Sequence, residues 1–178
     1  MKPGQEVDKE AMMEIWDIYD SNKQLTGKTM VRDDWHMAPD EYHLTVLGVV
    51  CRPDGRCLIT QRKMDKPWAP GSWELPGGGV QSGETSEEAV LREIREETGL
   101  DVSAADGELI LTYKRENAEK QDNYFVDVYR FFLDFHESDV KVQEEEVEGF
   151  AIADTEEICS LGEDGKFLHF DSIREIFT

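Results

Sequence analysis

Residues 78–100 read GGVQSGETSEEAVLREIREETGL, a glycine turn followed by a segment with apolar side chains at helical spacing. Thr85 and Glu88 have the spacing of a capping box, in which two residues at the start of a helix bond to each other's backbone. Gly99 is the residue type that commonly follows the last turn of a helix. The stretch therefore predicts a helix that begins after Thr85, ends at Gly99 and packs on a sheet through its apolar side.

The predicted helix carries three carboxylates, Glu93, Glu96 and Glu97, on one side. Because residues three and four apart are neighbours on a helix surface, these groups repel one another unless a cation is present. An oxygen-lined, strongly negative site suits a hard divalent ion such as Mg²⁺ or Mn²⁺. A Glu-rich helix in an acidic protein is more often a solvated face, and the run REIREE alone favours that interpretation.

The spacing across the whole stretch argues against a plain solvated face. From Gly78 to Leu100 the chain follows G-x5-E-x7-R-E-U-x-E-E-x-G-U, where U is apolar. Residues 77–79 are all glycine, so the backbone there can approach an ion or a phosphate with no Cβ in between. Arg92 lies four residues before Glu96, a spacing that lets it hold a carboxylate in orientation.

The stretch resembles the Nudix box, the signature of the Nudix hydrolases. The strand ending at residues 60–62, the segment 73–79 and the Glu-Glu-Val run near residue 146 are also similar to that family. The resemblance covers the box closely and extends loosely from about residue 44 to residue 158. It implies an α/β sandwich of the Nudix type, with a mixed sheet between helices. It also implies an enzyme that hydrolyses a nucleoside diphosphate linked to another moiety, or a related diphosphate, by attack of water at phosphorus.

The resemblance implies a role for each residue that matches the family's pattern. The helical carboxylates and the carbonyl oxygen of Gly77 would bind Mg²⁺ or Mn²⁺, and Glu93 would be a metal ligand or the general base. A further acid usually follows downstream, and we expect it at Glu146, with Glu144 and Glu145 as alternatives. The expected catalytic residues are Glu84, Arg92, Glu93 and Glu146, the metal ligands are Gly77, Glu93, Glu96 and Glu97, and the substrate contacts are Arg62, Lys63, Gly78 and Gly79.

The N-terminal part carries a second resemblance. Residues 17–20, 26–28 and 42–44 are similar to the opening of the Nudix branch that contains type I isopentenyl diphosphate isomerase. His36 and His43 are seven apart, like two histidines that bind metal in that isomerase. Ordinary surface and strand-edge positions are the favoured alternative for this pair, so metal binding by the two histidines is left open.

Isomerisation is disfavoured, because the isomerase needs a catalytic cysteine and a third metal-binding histidine in the turn before the box. This chain has Gly77 and Gly79 at those two places. A non-catalytic nucleotide sensor is the other alternative, and the intact box disfavours it, since sensors commonly lose box glutamates. We therefore expect a metal-dependent hydrolase of a small phosphorylated metabolite. For Arg62 and Lys63, ordinary surface charge has equal weight with a substrate contact.

The chain outside the box predicts one α/β domain. A loose lead-in over residues 1–11 precedes a small hairpin extension over residues 12–35, and the core covers residues 43–178. Alternating apolar residues and turn signals predict the remaining elements. The expected strands are residues 14–19, 25–31, 44–50, 56–62, 108–114, 124–135 and 147–152, and the expected later helices begin at residue 155 and span residues 171–177.

Composition limits the class of partner. The chain has 178 residues and a formal net charge of −21, which disfavours binding to a nucleic-acid duplex through its phosphates. Its N-terminus lacks the apolar run of a signal peptide, and no apolar run approaches the length of a membrane span. We therefore expect a cytoplasmic protein without membrane association, whose Cys51, Cys57 and Cys159 are reduced thiols. Family members are often dimers, so the resemblance leaves a homodimer open.

Overall fold

The computed structural model describes residues 13–178, so the expected lead-in over residues 1–11 lies outside the described residues. A mixed sheet with helices on both faces follows a separate two-stranded hairpin. The strands are β1 (Ile15–Tyr19), β2 (Leu25–Val31), β3 (His43–Cys51), β4 (Cys57–Arg62), β5 (Trp73–Glu74), β6 (Gly77–Gly79), β7 (Gly107–Arg115), β8 (Tyr124–Phe132) and β9 (Val147–Ala153). The helices are α1 (Ser86–Thr98), α2 (Thr155–Glu163) and α3 (Phe170–Ile173), with 3₁₀ turns at Ala104–Asp106, Glu137–Asp139 and Arg174–Phe177.

The sheet opens at one end, between β3 and β4. These strands pair at Cys51 and Cys57, and further along β6 takes the place of β4 beside β3, with Gly77 opposite Leu47. On its other side β3 runs parallel to β8, and β7 follows β8 as an antiparallel edge strand. β5 and β9 both pair with β4. The opening therefore brings the glycine strand close to the ends of β4 and β5.

Alternation along β3 explains how helices cover both faces of the sheet. Val46 and Val50 belong to the buried cluster on the α1 side, together with Ile94 of the helix. Leu47 points the other way, into the cluster that contains Ile158 of α2. Full burial of side chains of this size contributes roughly 1.5–3 kcal/mol each, so β3 ties both helical layers to one sheet.

The first helix has the ends that its sequence predicts. The side chain of Thr85 accepts a bond from the backbone N–H of Glu88, and the Glu88 carboxylate accepts one from the backbone N–H of Thr85. At the other end Gly99 has a φ of 72°, and its N–H donates to the carbonyl of Arg95. The capping box and the terminal glycine thus set the ends of α1, and the buried Val90 and Ile94 set the side that packs on the sheet.

The expected N-terminal hairpin is formed by β1 and β2. Asp17 accepts bonds from the hydroxyl of Ser82 over 2.7 Å and from the N–H of Gly83 over 2.9 Å. The hairpin is therefore attached to the loop that leads into α1. Trp16 lies against Gly79, where an added Cβ would come within 2.5 Å of the indole ring. The hairpin thereby forms one wall of the opening in the sheet.

The expectation of three reduced thiols is wrong for Cys51 and Cys57, which form a disulfide with a Cα separation of 4.1 Å. The two residues stand opposite each other where β3 pairs with β4, so strand pairing itself brings their sulfur atoms together. Cys159 is the free cysteine of the described chain, and it is partly exposed.

The other expected elements appear in the predicted order, whereas β5 and β6 were not predicted as strands. The bounds agree within one residue except at the end of β8. β8 ends at Phe132 rather than at residue 135, because its neighbours β3 and β7 pair no further than Cys51 and Gly107. The last helical stretch begins at Phe170 and becomes a 3₁₀ turn at Arg174. Among the helices of residues 13–178, none has the length and apolar character needed to cross a membrane.

Candidate active site

Glu97, in the last turn of α1, reaches the glycine strand at the open end of the sheet. Its carboxylate accepts a hydrogen bond from the backbone N–H of Gly77 over 3.2 Å. A Cβ on Gly77 would lie 2.1 Å from the carbonyl oxygen of Val46, so any side chain there would push β6 away from β3. Glycine is therefore required for the carboxylate, the peptide and the neighbouring strand to lie this close.

Glu93, one helical turn earlier, occupies space that Gly78 leaves free. A Cβ on Gly78 would lie 2.6 Å from the carboxyl carbon of Glu93. The Glu93 side chain is 12% exposed, whereas that of Glu96 is 50% exposed. Of the three helical carboxylates, two lie against glycine backbone and the third stands at the rim.

Arg92 holds the neighbouring acids in place. Its Nε and Nη2 donate to the two carboxylate oxygens of Glu84 at 2.8 and 2.9 Å, and its Nη1 donates to Glu93 at 2.6 Å. Nη2 also donates to the carbonyl of Gly79 at 3.1 Å. Burial works to raise the pKa of Glu84, but the bonds from Arg92 and from the backbone of Gln81 outweigh it and lower that pKa. Arg92 therefore orients two carboxylates and links them to the glycine strand.

Negative charge accumulates at this end of the sheet. Burial raises the pKa of Glu97 well above its ordinary value, and the charges of Glu74 and Glu93 raise it further. Burial also raises the pKa of Glu93, against the attraction of Arg92. For Glu74, burial raises the pKa to about 7, although Arg62 opposes the shift. Burial is the largest cause in each case, so all three carboxyls hold their protons more tightly than a free glutamate does.

The donor set fits a hard divalent cation. Carboxylate and backbone carbonyl oxygens are the ligands that such ions prefer, and a cation here would offset the repulsion between the acids. Across residues 13–178, no three acidic, histidine or cysteine side chains are gathered around one point as a finished metal site. Arg92 holds Glu84 and Glu93 in close ion pairs and the half-exposed Glu96 in a longer one, so these side chains would have to rotate to ligate a cation.

Glu74 was not among the predicted site residues. It lies on β5, and its carboxylate accepts a bond from Nη1 of Arg62 over 3.2 Å. Arg62, expected to contact substrate, is held by this ion pair and lies over the ring of Trp68 at 5.2 Å. The one signal in the sequence was an acid three residues before the glycine run. Its partner could not be read from the sequence, because Arg62 reaches Glu74 through the pairing of β4 with β5.

Glu146 and Lys63 lie beside the same end of the sheet. The N–H of Lys63 donates to the carbonyl of Glu146 over 3.3 Å, and Lys66 forms an ion pair with the Glu146 carboxylate. After burial and nearer charges, the charge of Glu146 also raises the pKa values of Glu74 and Glu97. The structure thus brings the expected downstream acid near the other carboxylates, and it adds Lys66, which was not predicted.

The two histidines of the N-terminal part lie in different environments. His36 is exposed on the loop that follows β2. His43 is buried and stacks on Trp16 and Tyr124, with ring centroids 4.4 and 5.0 Å apart. Burial lowers the pKa of His43, although Asp122 lies 3.0 Å from its Nε2. His36 therefore faces solvent, and His43 is enclosed by aromatic rings.

A mixed sheet between helices, opened by a glycine strand and lined there by carboxylates, defines a protein suited to metal-assisted reactions of phosphates. The sequence model of the NUDIX domain matches residues 41–174. An uncharacterised Nudix hydrolase of Listeria monocytogenes is 32% identical over 167 residues, which are 93% of this chain and 95% of that protein. The chain therefore belongs to the Nudix family and is a diphosphohydrolase of the Nudix type.

Two further matches show less: the first covers a short segment, and the second is a likeness of fold at low sequence identity. An 8-oxo-dGTP diphosphatase of Proteus vulgaris is 45% identical over 56 residues, which are 32% of this chain and 49% of that protein. A crystal structure of a Deinococcus radiodurans protein aligns with a TM-score of 0.68 and 22% identity over 86% of this chain and 91% of that one. The predicted α/β fold of the Nudix type is confirmed, whereas the narrower likeness to the isomerase branch stays a prediction.

Proposed function

We propose that this enzyme hydrolyses a diphosphate linkage in a small phosphorylated metabolite with the help of Mg²⁺ or Mn²⁺. The observation that carries the proposal is the position of Glu97, whose carboxylate meets the N–H of Gly77 and has its pKa strongly raised, by burial and by neighbouring acids. We assign the metal ion to Glu93, Glu96, Glu97 and the carbonyl oxygen of Gly77. When bound, the ion would neutralise charge on the diphosphate and activate a water for in-line attack at phosphorus.

The neighbouring residues would prepare the acids for this reaction. Arg92 keeps Glu84 and Glu93 oriented through charge-assisted hydrogen bonds, which are stronger than neutral ones. The missing side chain at Gly78 leaves room for the Glu93 carboxylate to lie against the glycine strand. Glu93 is a ligand or, in the alternative role, the general base, for which the pKa raised by burial would suit it. Glu146, whose charge reaches Glu97, is our candidate for the additional acid.

A hydrolysis screen tests the proposal. Nucleoside triphosphates, dinucleoside polyphosphates, ADP-ribose, NADH and prenyl diphosphates are incubated with the enzyme, with Mg²⁺ and after its removal by chelation. We expect at least one of them to release phosphate or a nucleoside monophosphate only when the metal is present. Formation of dimethylallyl diphosphate without phosphate release would support the isomerase alternative. Tight nucleotide binding without turnover would support the sensor.

A pair of variants links the activity to the carboxylates. Glu97→Gln should lower turnover by at least about 100-fold with the fold intact. Loss of a residue that only supports a metal ligand costs about 10–100-fold, and loss of a ligand itself should cost no less. Glu87→Gln is the matched control, because Glu87 is exposed in the first turn of the same helix. Wild-type turnover by Glu97→Gln in the presence of Mg²⁺ would show that the proposal is wrong. A cytoplasmic location, a homodimer and a single domain over the whole chain stay predictions.

A further inference from the structure

Aromatic rings form a continuous arc that begins and ends beside the carboxylate site. We call it the aromatic arc. In spatial order its members are Trp16, His43, Tyr124, His169 and Trp68, with neighbouring ring centroids 4.4, 5.0, 6.3 and 6.4 Å apart. At one end Trp16 packs on Gly79, and at the other Trp68 lies under Arg62, the partner of Glu74. A ligand on the arc would therefore lie next to the site proposed for the diphosphate.

The arc is closed at its first end and open at its second. Trp16 and His43 are each 4% exposed and stack on each other. Trp68 is 50% exposed. His169 meets Trp68 and Tyr124 edge-on, with interplanar angles of 62° and 75°. The rings at the open end therefore do not stack face to face, and Trp68 is the ring of the arc most open to a planar ligand.

His169 has an uncommon backbone conformation at the open end. Its φ is 60°, in the left-handed region that residues other than glycine seldom adopt. The N–H of Leu168 donates to the carbonyl of Trp73 at 2.8 Å, and the N–H of Ser172 donates to the carbonyl of His169 at 2.9 Å. Bonds on both sides thus fix the backbone that carries the imidazole. Strained backbone of this kind tends to occur where a side chain has a function.

The open end also carries positive charge in a chain whose net charge is −21. Arg115 Nη1 lies 3.1 Å from Nδ1 of His169. Burial, then Arg115 and Arg62, lowers the pKa of His169 to about 4, so the imidazole is neutral near pH 7. Because a guanidinium can only donate, Nδ1 accepts and Nε2 carries the proton. His169 therefore offers a hydrogen-bond donor beside two fixed positive charges.

Tyr113 adds a polar group that has no partner. Its ring centroid lies 6.3 Å from that of His169. Its hydroxyl is buried and makes no hydrogen bond to any residue of the described chain. A buried hydroxyl without a partner is unfavourable, so a ligand that bonds to it would be stabilised.

From this geometry we propose that the open end of the aromatic arc binds the nucleobase of the substrate, with Trp68 and His169 as residues that determine specificity. The inference rests on the proposed function, because it places the base beside the proposed diphosphate site through Arg62. Every nucleobase has a flat face for the rings and edge groups for hydrogen bonds. A prenyl chain would leave the imidazole donor and the Tyr113 hydroxyl unpaired, and an inorganic polyphosphate would leave the ring faces uncovered.

Isothermal titration calorimetry tests this inference. Wild-type protein is titrated in Mg²⁺ with ADP, GDP, CDP, UDP and inorganic diphosphate. We expect the best nucleoside diphosphate to bind at least about tenfold more tightly than inorganic diphosphate, an effect typical of one base stacked on an aromatic side chain. Trp68→Ala and His169→Asn should each remove most of that preference and leave the affinity for inorganic diphosphate unchanged. Asparagine is chosen because it tolerates the left-handed conformation, so the fold should persist.

A control and two outcomes complete the experiment. Phe132→Ala removes another exposed aromatic ring, at the end of β8, and should keep the full preference. Equal binding of nucleoside and inorganic diphosphates by the wild type, or an undiminished preference in both arc variants, would overturn the inference. Metal-dependent hydrolysis without base preference would refute this inference alone. Base preference in a protein that hydrolyses no phosphoanhydride would refute the proposed function alone.

Discussion

Replacing Gly78 by alanine tests how closely the glycine strand and the acids fit. A Cβ at this position would lie 2.6 Å from the carboxyl carbon of Glu93, whereas carbon atoms in contact keep about 3.5–4.0 Å. Glu93 must therefore move by about 1 Å, and its 2.6 Å bond with Arg92 must readjust. A displacement of that size at an active site can lower the rate by about 100-fold.

We therefore expect Gly78→Ala to lower kcat by about 100-fold. Its free energy of unfolding should stay within about 1 kcal/mol of wild type, because the displaced atoms end a flexible side chain. Gly77→Ala should instead prevent folding, since its Cβ would meet the carbonyl oxygen of Val46 at 2.1 Å. Gly149→Ala on β9 is the control, because no heavy atom lies within 4 Å of the added Cβ.

Two assays separate these variants. Steady-state hydrolysis of the best substrate with saturating Mg²⁺ measures kcat, and urea unfolding measures stability. Wild-type kcat in a folded Gly78→Ala would refute the reasoning that activity requires Glu93 in its position against Gly78. A comparable loss of kcat in Gly149→Ala would show that the effect is not specific to the site.

Arg92→Lys should lower activity by about 10–100-fold, because lysine cannot bind both oxygens of Glu84 and also Glu93; unchanged kinetics would contradict the positioning role. Glu74→Gln probes the carboxyl whose pKa is about 7. The folded protein keeps this proton to higher pH than the unfolded chain does. In metal-free protein the free energy of unfolding of wild type should therefore fall relative to the variant between about pH 4.5 and 7, by roughly 3 kcal/mol. Urea titrations that give a pH-independent difference would contradict this account. Alkylation of denatured protein without reductant should label Cys159 alone by mass spectrometry, and labelling of Cys51 and Cys57 as well would exclude the disulfide.

The α1 segment could be predicted because its signals are local. The capping box at Thr85 and Glu88 and the terminal Gly99 determine the ends of the helix within one short stretch. Once the ends are known, helical spacing alone puts Glu93 and Glu97 on the side that meets the glycine strand. The hairpin turn between β3 and β4 could be predicted for the same reason, from residues that lie next to each other in the chain.

Features that depend on contacts between distant segments could not be predicted. Burial and the charge of Glu146 raise the pKa of Glu74. Its partner Arg62 lies beside it because β4 pairs with β5. His169 follows a short segment that is hydrogen-bonded to Trp73, which is distant in the sequence. The residues next to His169 in the sequence give no sign that its side chain lies near the site. The disulfide follows from the strand register, which places Cys51 opposite Cys57. Composition alone favoured reduced thiols.

The central claim is that the carboxylates of α1 hold a divalent cation, and Mn²⁺ binding tests it most directly. Titration followed by electron paramagnetic resonance measures the free ion in wild type, Glu97→Gln and Glu87→Gln without any need for turnover. We expect wild type and Glu87→Gln to bind Mn²⁺ equally. Glu97→Gln should bind it at least about tenfold more weakly, because loss of a residue that merely supports a metal ligand already weakens binding by about that much. Equal Mn²⁺ affinity in Glu97→Gln and wild type would contradict the claim.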